Sequence, residues 1–443
     1  MIKKSNMYNL MLKHLKGFYN YFLNINTKDN IALYGTFFVT FASIIGNFFA
    51  YLFQLIIAKV LSISEFGDLT ALFSLMIFIS APLSIFSVSL VKWVSIIKNQ
   101  NYPKKLTEFF YTILIFSFIY SFFVFILLFL LKNFIIGYLQ LSTPKSYLFF
   151  NLYVFIANLT FIFLPILQSL QRFKAYSLLN LFNMFNRFLV ALVSLIFSLK
   201  LINVLKLLFI QVIFSIFLAF LALKKNLVYS YFKFNMLHIK KVLKFAAFSS
   251  FSVLGLTLLL STDILLVKHF FDSNIAGIYS SVTVLGKIVF WVNGPIILVA
   301  FPLFSEKYAK GIIPFKHLSY TFLAVLGVSF SIFLIMSLFP SFIISLLFGT
   351  KYSLASSFLP KYSLFMVLFS LNALFVQFFI AIERLYLSSL IFISLLIEYI
   401  LIQLFFNKSI YIVLNVLVFN QFFMLTIFII YLLYLKKYYL LKN

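Results

Sequence analysis

Long apolar runs alternate with short polar gaps along nearly the whole chain. The runs fall at about 31–60, 69–97, 107–131, 147–170, 175–199, 203–223, 243–268, 275–303, 316–340, 354–382, 386–406 and 409–435. Each exceeds the roughly 18 apolar residues that suffice to cross a bilayer as an α-helix. They are continuous rather than alternating, which predicts helices and not the strands of a barrel. The fold expected is all-α: a polytopic membrane protein with about twelve transmembrane helices in two six-helix bundles related by a pseudo-two-fold axis. The gaps leave no room for a soluble domain of useful size.

The polar gaps give the orientation. Cytoplasmic loops carry an excess of Lys and Arg, and the basic residues gather in alternate gaps. One set includes Lys3, Lys4, Lys13, Lys16 and Lys28, then Lys98, Lys104 and Lys105, and a cluster at Lys224, Lys225, Lys233, Lys240, Lys241 and Lys244. The other set is sparser, with Lys59, Lys132, Lys268 and Lys351 among its members. This split predicts a multi-pass protein of the cell membrane with both termini cytoplasmic. The expected divisions are a cytoplasmic amphipathic segment (1–30), a first bundle (31–223), an inter-bundle loop (224–242), a second bundle (243–435) and a cytoplasmic tail (436–443). In the first of these, Met11, Leu15, Phe18 and Phe22 share one helical face with Lys13 and Lys16 off it. That is the pattern of a helix lying on anionic lipid.

An internal repeat relates the two halves. "IIAKVLSISEFGDLTALFSLMIF" follows the first span and "LLVKHFFDSNIAGIYSSVTVLGK" the seventh. Each has a Lys (Lys59, Lys268), a short polar turn and a Gly (Gly67, Gly277) opening the next helix. That next helix carries Pro82 in one copy and Pro295 and Pro302 in the other. Six spans separate the copies, so the halves run parallel, an arrangement that in transporters places the substrate between them.

Composition narrows the chemistry. The 443 residues are 64% hydrophobic and 10% charged, with mean hydropathy +1.11. Soluble domains run at about 45–50% apolar and about 25% charged. A net charge of +26 invites a nucleic-acid reading, but the charges sit in membrane gaps, so no nucleic-acid partner is expected. The absence of Cys excludes disulfides, cysteine metal sites and thiol catalysis. His14, His238, His269 and His317 are scattered without ligand spacing. No metal, cofactor or catalytic residue is expected, and no secretory signal peptide is apparent.

Four stretches resemble a known family, the oligosaccharide (O-antigen flippase-like) flippases of the multidrug/oligosaccharidyl-lipid/polysaccharide exporter superfamily. "AKVLSISEFGDLTALFSL" (58–75) is similar to the family's first outer turn. "LQSLQRFKAYSLLNL" (167–181) resembles its segment after the fourth span, with Ser169 where Gly is usual. "STDILLVKHFFDSNIAGIYSSVTVLGKI" (261–288) and "FPLFSEKYAKG" (301–311) resemble the opening and close of its second repeat. The resemblance covers roughly residues 31–435. It implies two bundles around a central cavity and alternating access. It further implies transport of a lipid-linked oligosaccharide on a polyprenyl pyrophosphate to the outer leaflet, for surface polysaccharide synthesis.

Charges inside the spans give the candidate site. The only arginines are Arg172, Arg187 and Arg384, and Arg187 falls near the middle of span five. An Arg at mid-bilayer costs about 2.5–3.5 kcal/mol on insertion scales unless it meets water or a partner. Asn180, Asn183 and Arg187 share one helical face, and a guanidinium supplies forked donors to paired phosphate oxygens. A structural pairing with an acid or with helix carbonyls is the other reading. Lys287 in span eight is a second mid-span cation, facing a cavity or snorkelling to an interface. Lys59 and Lys268 read as interfacial anchors. Span one offers Ser43, Asn47, Tyr51 and Gln54 as a second polar face, which interhelical hydrogen bonds explain equally. Gln171, Arg172 and Lys174 lie where an inward-open cavity would meet a lipid pyrophosphate, though positive-inside topology also accounts for the two cations. Asp263 and Glu398 are buried acids suited to H+ or Na+ coupling, or to static pairing.

Rival classes remain. A drug or cation exporter of the same superfamily would favour an acidic cavity. A membrane glycosyltransferase or polymerase would need acids in an outer loop. Glu65 and Asp68 are the only such pair, and they read as a helix cap with Ser64 as N-cap.

Overall fold

The computed structural model describes residues 27–99, 103–224, 250–405 and 408–442. The amphipathic N-terminal pattern and most of the expected inter-bundle loop lie outside the described residues. The elements are helices α1 (Thr27–Val60), α2 (Ile63–Asn99), α3 (Pro103–Leu130), α4 (Lys132–Tyr138), α5 (Ser146–Thr160), α6 (Phe163–Ser169), α7 (Phe173–Ile196) and α8 (Leu201–Lys224). The second half has α9 (Ser250–Phe270), α10 (Ser273–Ala309), α11 (Phe315–Leu338), α12 (Pro340–Leu347), a 3-10 helix (Thr350–Ser357), α13 (Leu359–Ala381), α14 (Leu385–Ser388), α15 (Leu390–Phe405) and α16 (Ile410–Lys442). Among the described residues, twelve stretches are long and apolar enough to cross a membrane. The chain is a multi-pass membrane protein.

Span four is the pair α5 and α6, parted at Phe161–Ile162. Pro165 lacks the N–H that would bond the Phe161 carbonyl, so the helix breaks there. Span eleven is likewise α14 followed by α15. Spans two and eight are longer than the apolar runs suggest, at 37 residues each. Polar ends such as Glu65 in α2, and Lys307 in α10, extend these helices as amphipathic turns. The expected tail at 436–443 also continues α16 as far as Lys442.

The polar turns repeat as well. α6 ends with Gln171 at φ 58° and Arg172 N–H bonding the Leu167 carbonyl at 3.0 Å. α13 ends with Glu383 at φ 58° and Arg384 N–H bonding the Phe379 carbonyl at 2.8 Å. Both are Schellman-type stops with a left-handed residue, here not glycine. The turn before span five thus has its counterpart before span eleven.

Packing sorts the spans into two sets of six. In the first, α1 runs along α7, with Phe49 against Phe185 and Phe188 at ring distances of 5.1 and 5.2 Å. In the second, α13 is apolar around its whole circumference and is enclosed by α10, α11 and α16, as an all-round hydrophobic helix must be. The sets meet where α2 lies against α9 and α10. This seam sits at the end of the molecule where α1 turns into α2 and α9 into α10, opposite the start of α1.

Glycine makes the seam possible. A Cβ on Gly67 would lie 2.9 Å from the Gly277 nitrogen, and one on Gly277 would be driven into the Ile63 carbonyl. Only two residues without side chains let these backbones approach so closely.

Candidate functional site

Arg187 on α7 is half-buried. Its Nη2 donates to the Tyr153 hydroxyl of α5 at 2.6 Å, and its guanidinium stands 5.8 Å from the ring centre of Phe73 on α2. Tyr153 is itself held by that ring, at 6.2 Å. Three helices therefore fix one guanidinium, with an aromatic face below it. The ion pairs among the described residues are Lys268–Asp68 and Lys310–Glu306. Arg187 has no carboxylate partner among the described residues.

The polar stripe beside Arg187 is only partly bonded. Asn183 Oδ1 and Asn186 Nδ2 are buried without a protein partner, as are Tyr51 O–H and Gln54 Oε1 on α1. Asn180 is half-buried, and Asn47 is exposed. Arg172 turns away from the stripe and donates to the Ala222 carbonyl at 3.0 Å, closing the end of α8. Lys174 is exposed and lies 5.8 Å from the Phe38 ring centre. The structure thus groups Asn183 and Arg187 but gives Arg172 a helix-end contact.

A second polar cluster lies within the second set. Asp263 on α9 accepts from the Tyr279 hydroxyl of α10 at 2.9 Å. Lys287 on α10 is half-buried and within electrostatic range of Asp263, without ion-pair contact. Glu398 on α15 accepts from Asn420 Nδ2 of α16 at 3.1 Å. Both acids are fully buried. Glu398 Oε1 and Asn420 Oδ1 have no protein partner, and the Tyr362 hydroxyl lies within reach of Asp263. Tyr362 fits because its ring occupies the space where a Gly286 side chain would be. Neither acid belongs to an ion pair among the described residues.

The seam supplies a third constellation, and it corrects two sequence readings. Lys268 is no interfacial anchor: it is fully buried and pairs with Asp68 across the seam at 2.7 Å. Asp68 therefore does not cap α2. The cap is Ser62, not Ser64: its Oγ accepts from Glu65 N–H at 3.2 Å while its N–H donates to Glu65 Oε2 at 3.3 Å, a reciprocal capping box. Further contacts cross the same seam. Gln140 Nε2 donates to the His269 carbonyl at 2.8 Å, and Ser273 Oγ to the Gln140 carbonyl at 2.9 Å. Lys351 Nζ donates to the Leu61 carbonyl at 2.7 Å, a cation at the negative end of α1.

Sequence reasoning missed Tyr153, Phe73, Tyr279, Tyr362 and Asn420. Each looks like ordinary core until its neighbour is known. Asp68 had one available signal, its place one turn into the repeated motif, opposite a repeated lysine.

This architecture defines a class: the chain has the fold of the membrane transporters of the MOP superfamily. Among solved structures it is similar to the lipid II flippase MurJ in an inward closed conformation, with TM-score 0.68 and 14% identity over 90% of this chain and 87% of that one. It is equally similar to an inward-facing multidrug resistance MATE family transporter of the MOP superfamily, with TM-score 0.68 and 11% identity over 88% of this chain and 96% of the other. The MATE multidrug transporter DinF-BH gives a TM-score of 0.63 at 15% identity, over 89% of this chain and 94% of that one. No protein-family model matches the chain, and no curated protein sequence matches it.

Proposed function

We propose that this protein is a flippase that carries a lipid-linked oligosaccharide, on a polyprenyl pyrophosphate, from the cytoplasmic to the outer leaflet of the cell membrane. It works by alternating access and serves surface polysaccharide synthesis. The observation that carries this reading is Arg187: a mid-span guanidinium fixed by Tyr153 and Phe73 and free of any described carboxylate. An uncompensated guanidinium in a membrane suits an anionic cargo, and its fork matches the paired oxygens of a pyrophosphate. Asn180 and Asn183 extend that face toward the glycan, with Gln54 and Asn47 opposite on α1. Lys174 draws the anionic head to the cytoplasmic mouth, and Lys287 adds positive charge on the other wall.

With both termini cytoplasmic, the seam is the outer end, and its closure is the inward-facing arrangement. Asp263 and Glu398 take up H+ or Na+ to drive the return step, their buried carboxylate oxygens supplying the ligands. The MATE-like neighbours and these two acids favour a second reading, export of a cationic drug. The test compares outer-leaflet glycan in cells lacking the protein with cells expressing it or Arg187→Ala at equal membrane levels. Flippase function requires restoration by the first and not by the second. Drug resistance without glycan export would support the second reading instead.

A further inference from the structure

Resting on that reading, we propose that Lys268 is an exit-side anion site, which the cargo's phosphate occupies once Asp68 leaves it. Lys268 and Asp68 belong to opposite sets of helices and lie fully buried on the seam. Cargo leaving between the sets must part α2 from α9 and α10, and so must break this pair.

The two partners are not equally provided for. Asp68 Oδ2 accepts from Ser142 Oγ at 2.6 Å, from Thr143 N–H at 3.2 Å and from Thr143 Oγ1 at 3.2 Å. All three donors belong to its own set and travel with it. Lys268 keeps only the Ser273 hydroxyl, at 2.7 Å, a neutral group with its own bond to the Gln140 carbonyl across the seam. Parting the sets therefore leaves on one lip a carboxylate that keeps three donors, all on Oδ2 and none on Oδ1, and on the other a cation with one neutral contact and no counter-ion.

Removing one partner of a buried pair is strongly unfavourable. An empty transporter is accordingly held shut at this end. A phosphate arriving from the cavity supplies the missing charge, and a lysine accepts single phosphate oxygens readily because its three donors rotate as a compact point charge. Cargo thus binds the open form better than the closed one, which is the condition for driving an opening. Arg187 and Lys268 become successive stations for one anion.

A simple latch would make both partners equally important, and this distinguishes the two roles. Asp68→Asn and Lys268→Gln are compared in the full-length protein, with Thr70→Cys as a seam probe in a chain that has no other cysteine. Both should raise thiol reactivity at position 70. Asp68→Asn should keep glycan export within about threefold of the parent, whereas Lys268→Gln should lose about tenfold or more, and Lys268→Arg should recover part of it. In purified Asp68→Asn protein, inorganic pyrophosphate should protect Lys268 from an amine-acylating reagent. Equal export by the two variants, or no protection, overturns the proposal while leaving the flippase reading intact. Absence of export by the unsubstituted protein would remove the flippase reading, and this one with it.

Discussion

The side chains of Thr70 and Ser280 meet across the seam, their hydroxyl oxygens 2.5 Å apart and their positions separated by 210 residues. One turn away Gly67 backs onto Gly277 at the same separation. Equivalent positions of the two repeats therefore touch each other, which happens only where a two-fold axis passes between them. The repeat in the sequence and the joint in the structure are one feature.

Crowding that joint should open it. Gly277→Val pushes a branched side chain against the Ile63 backbone, and overpacking of this kind costs about 1–3 kcal/mol. The closed-to-open ratio should fall by roughly five- to a hundred-and-fiftyfold. Thiol labelling of a Thr70→Cys probe checks this, and unchanged labelling would show that the contact does not set the seam.

Arg187 should tolerate little. Arg187→Lys keeps the charge but loses the fork, so export should remain well below that of the parent. Tyr153→Phe removes one hydrogen bond to a charged group, worth about 1.5–3 kcal/mol, and should lower export less than Arg187→Ala does. Export assays at matched protein level read both. A Tyr153→Phe defect as severe as that of Arg187→Ala would mean that the tyrosine itself contacts cargo.

The buried acids should carry the ion dependence. Glu398→Gln preserves the bond from Asn420 but removes the charge. It should abolish any dependence of export on the H+ or Na+ gradient, while inward-facing cargo binding persists. Asp263→Asn should act in the same direction. Export that follows the gradient as before in both variants would show that the cluster is structural.

Topology can be checked without transport. A reporter fused within 225–242 should be active only in the cytoplasm, as the lysine cluster there demands. Reporter activity outside the cell would invert the assignment of the seam.

The spans were legible because a bilayer demands length and apolarity, and both are local properties of the chain. The repeat was legible for the same reason, and so was the unusual position of Arg187. What Arg187 touches was not, since Tyr153 and Phe73 come from other helices and read alone as core aromatics. Lys268 reads as an anchor because a lysine near a helix end ordinarily snorkels to the interface. Only the tertiary fold brings Asp68 opposite it. Ser62 rather than Ser64 caps α2 because the helix begins at Ile63, well before the apolar run does, and hydropathy does not register polar first turns.

α2 and α10 are 37 residues long, about 55 Å at the helical rise, where the hydrocarbon core is about 30 Å thick. Each touches the other through a glycine in its second turn, so the pair behaves as two rods crossed near one tip. A swing of about 10° about that contact moves the helices at Pro82 and Pro295 by roughly 4 Å, at a rise of about 1.5 Å per residue. The separation of the two helices beyond the joint is then governed by the angle of a contact smaller than a single side chain. A methyl group added there would be felt half a molecule away.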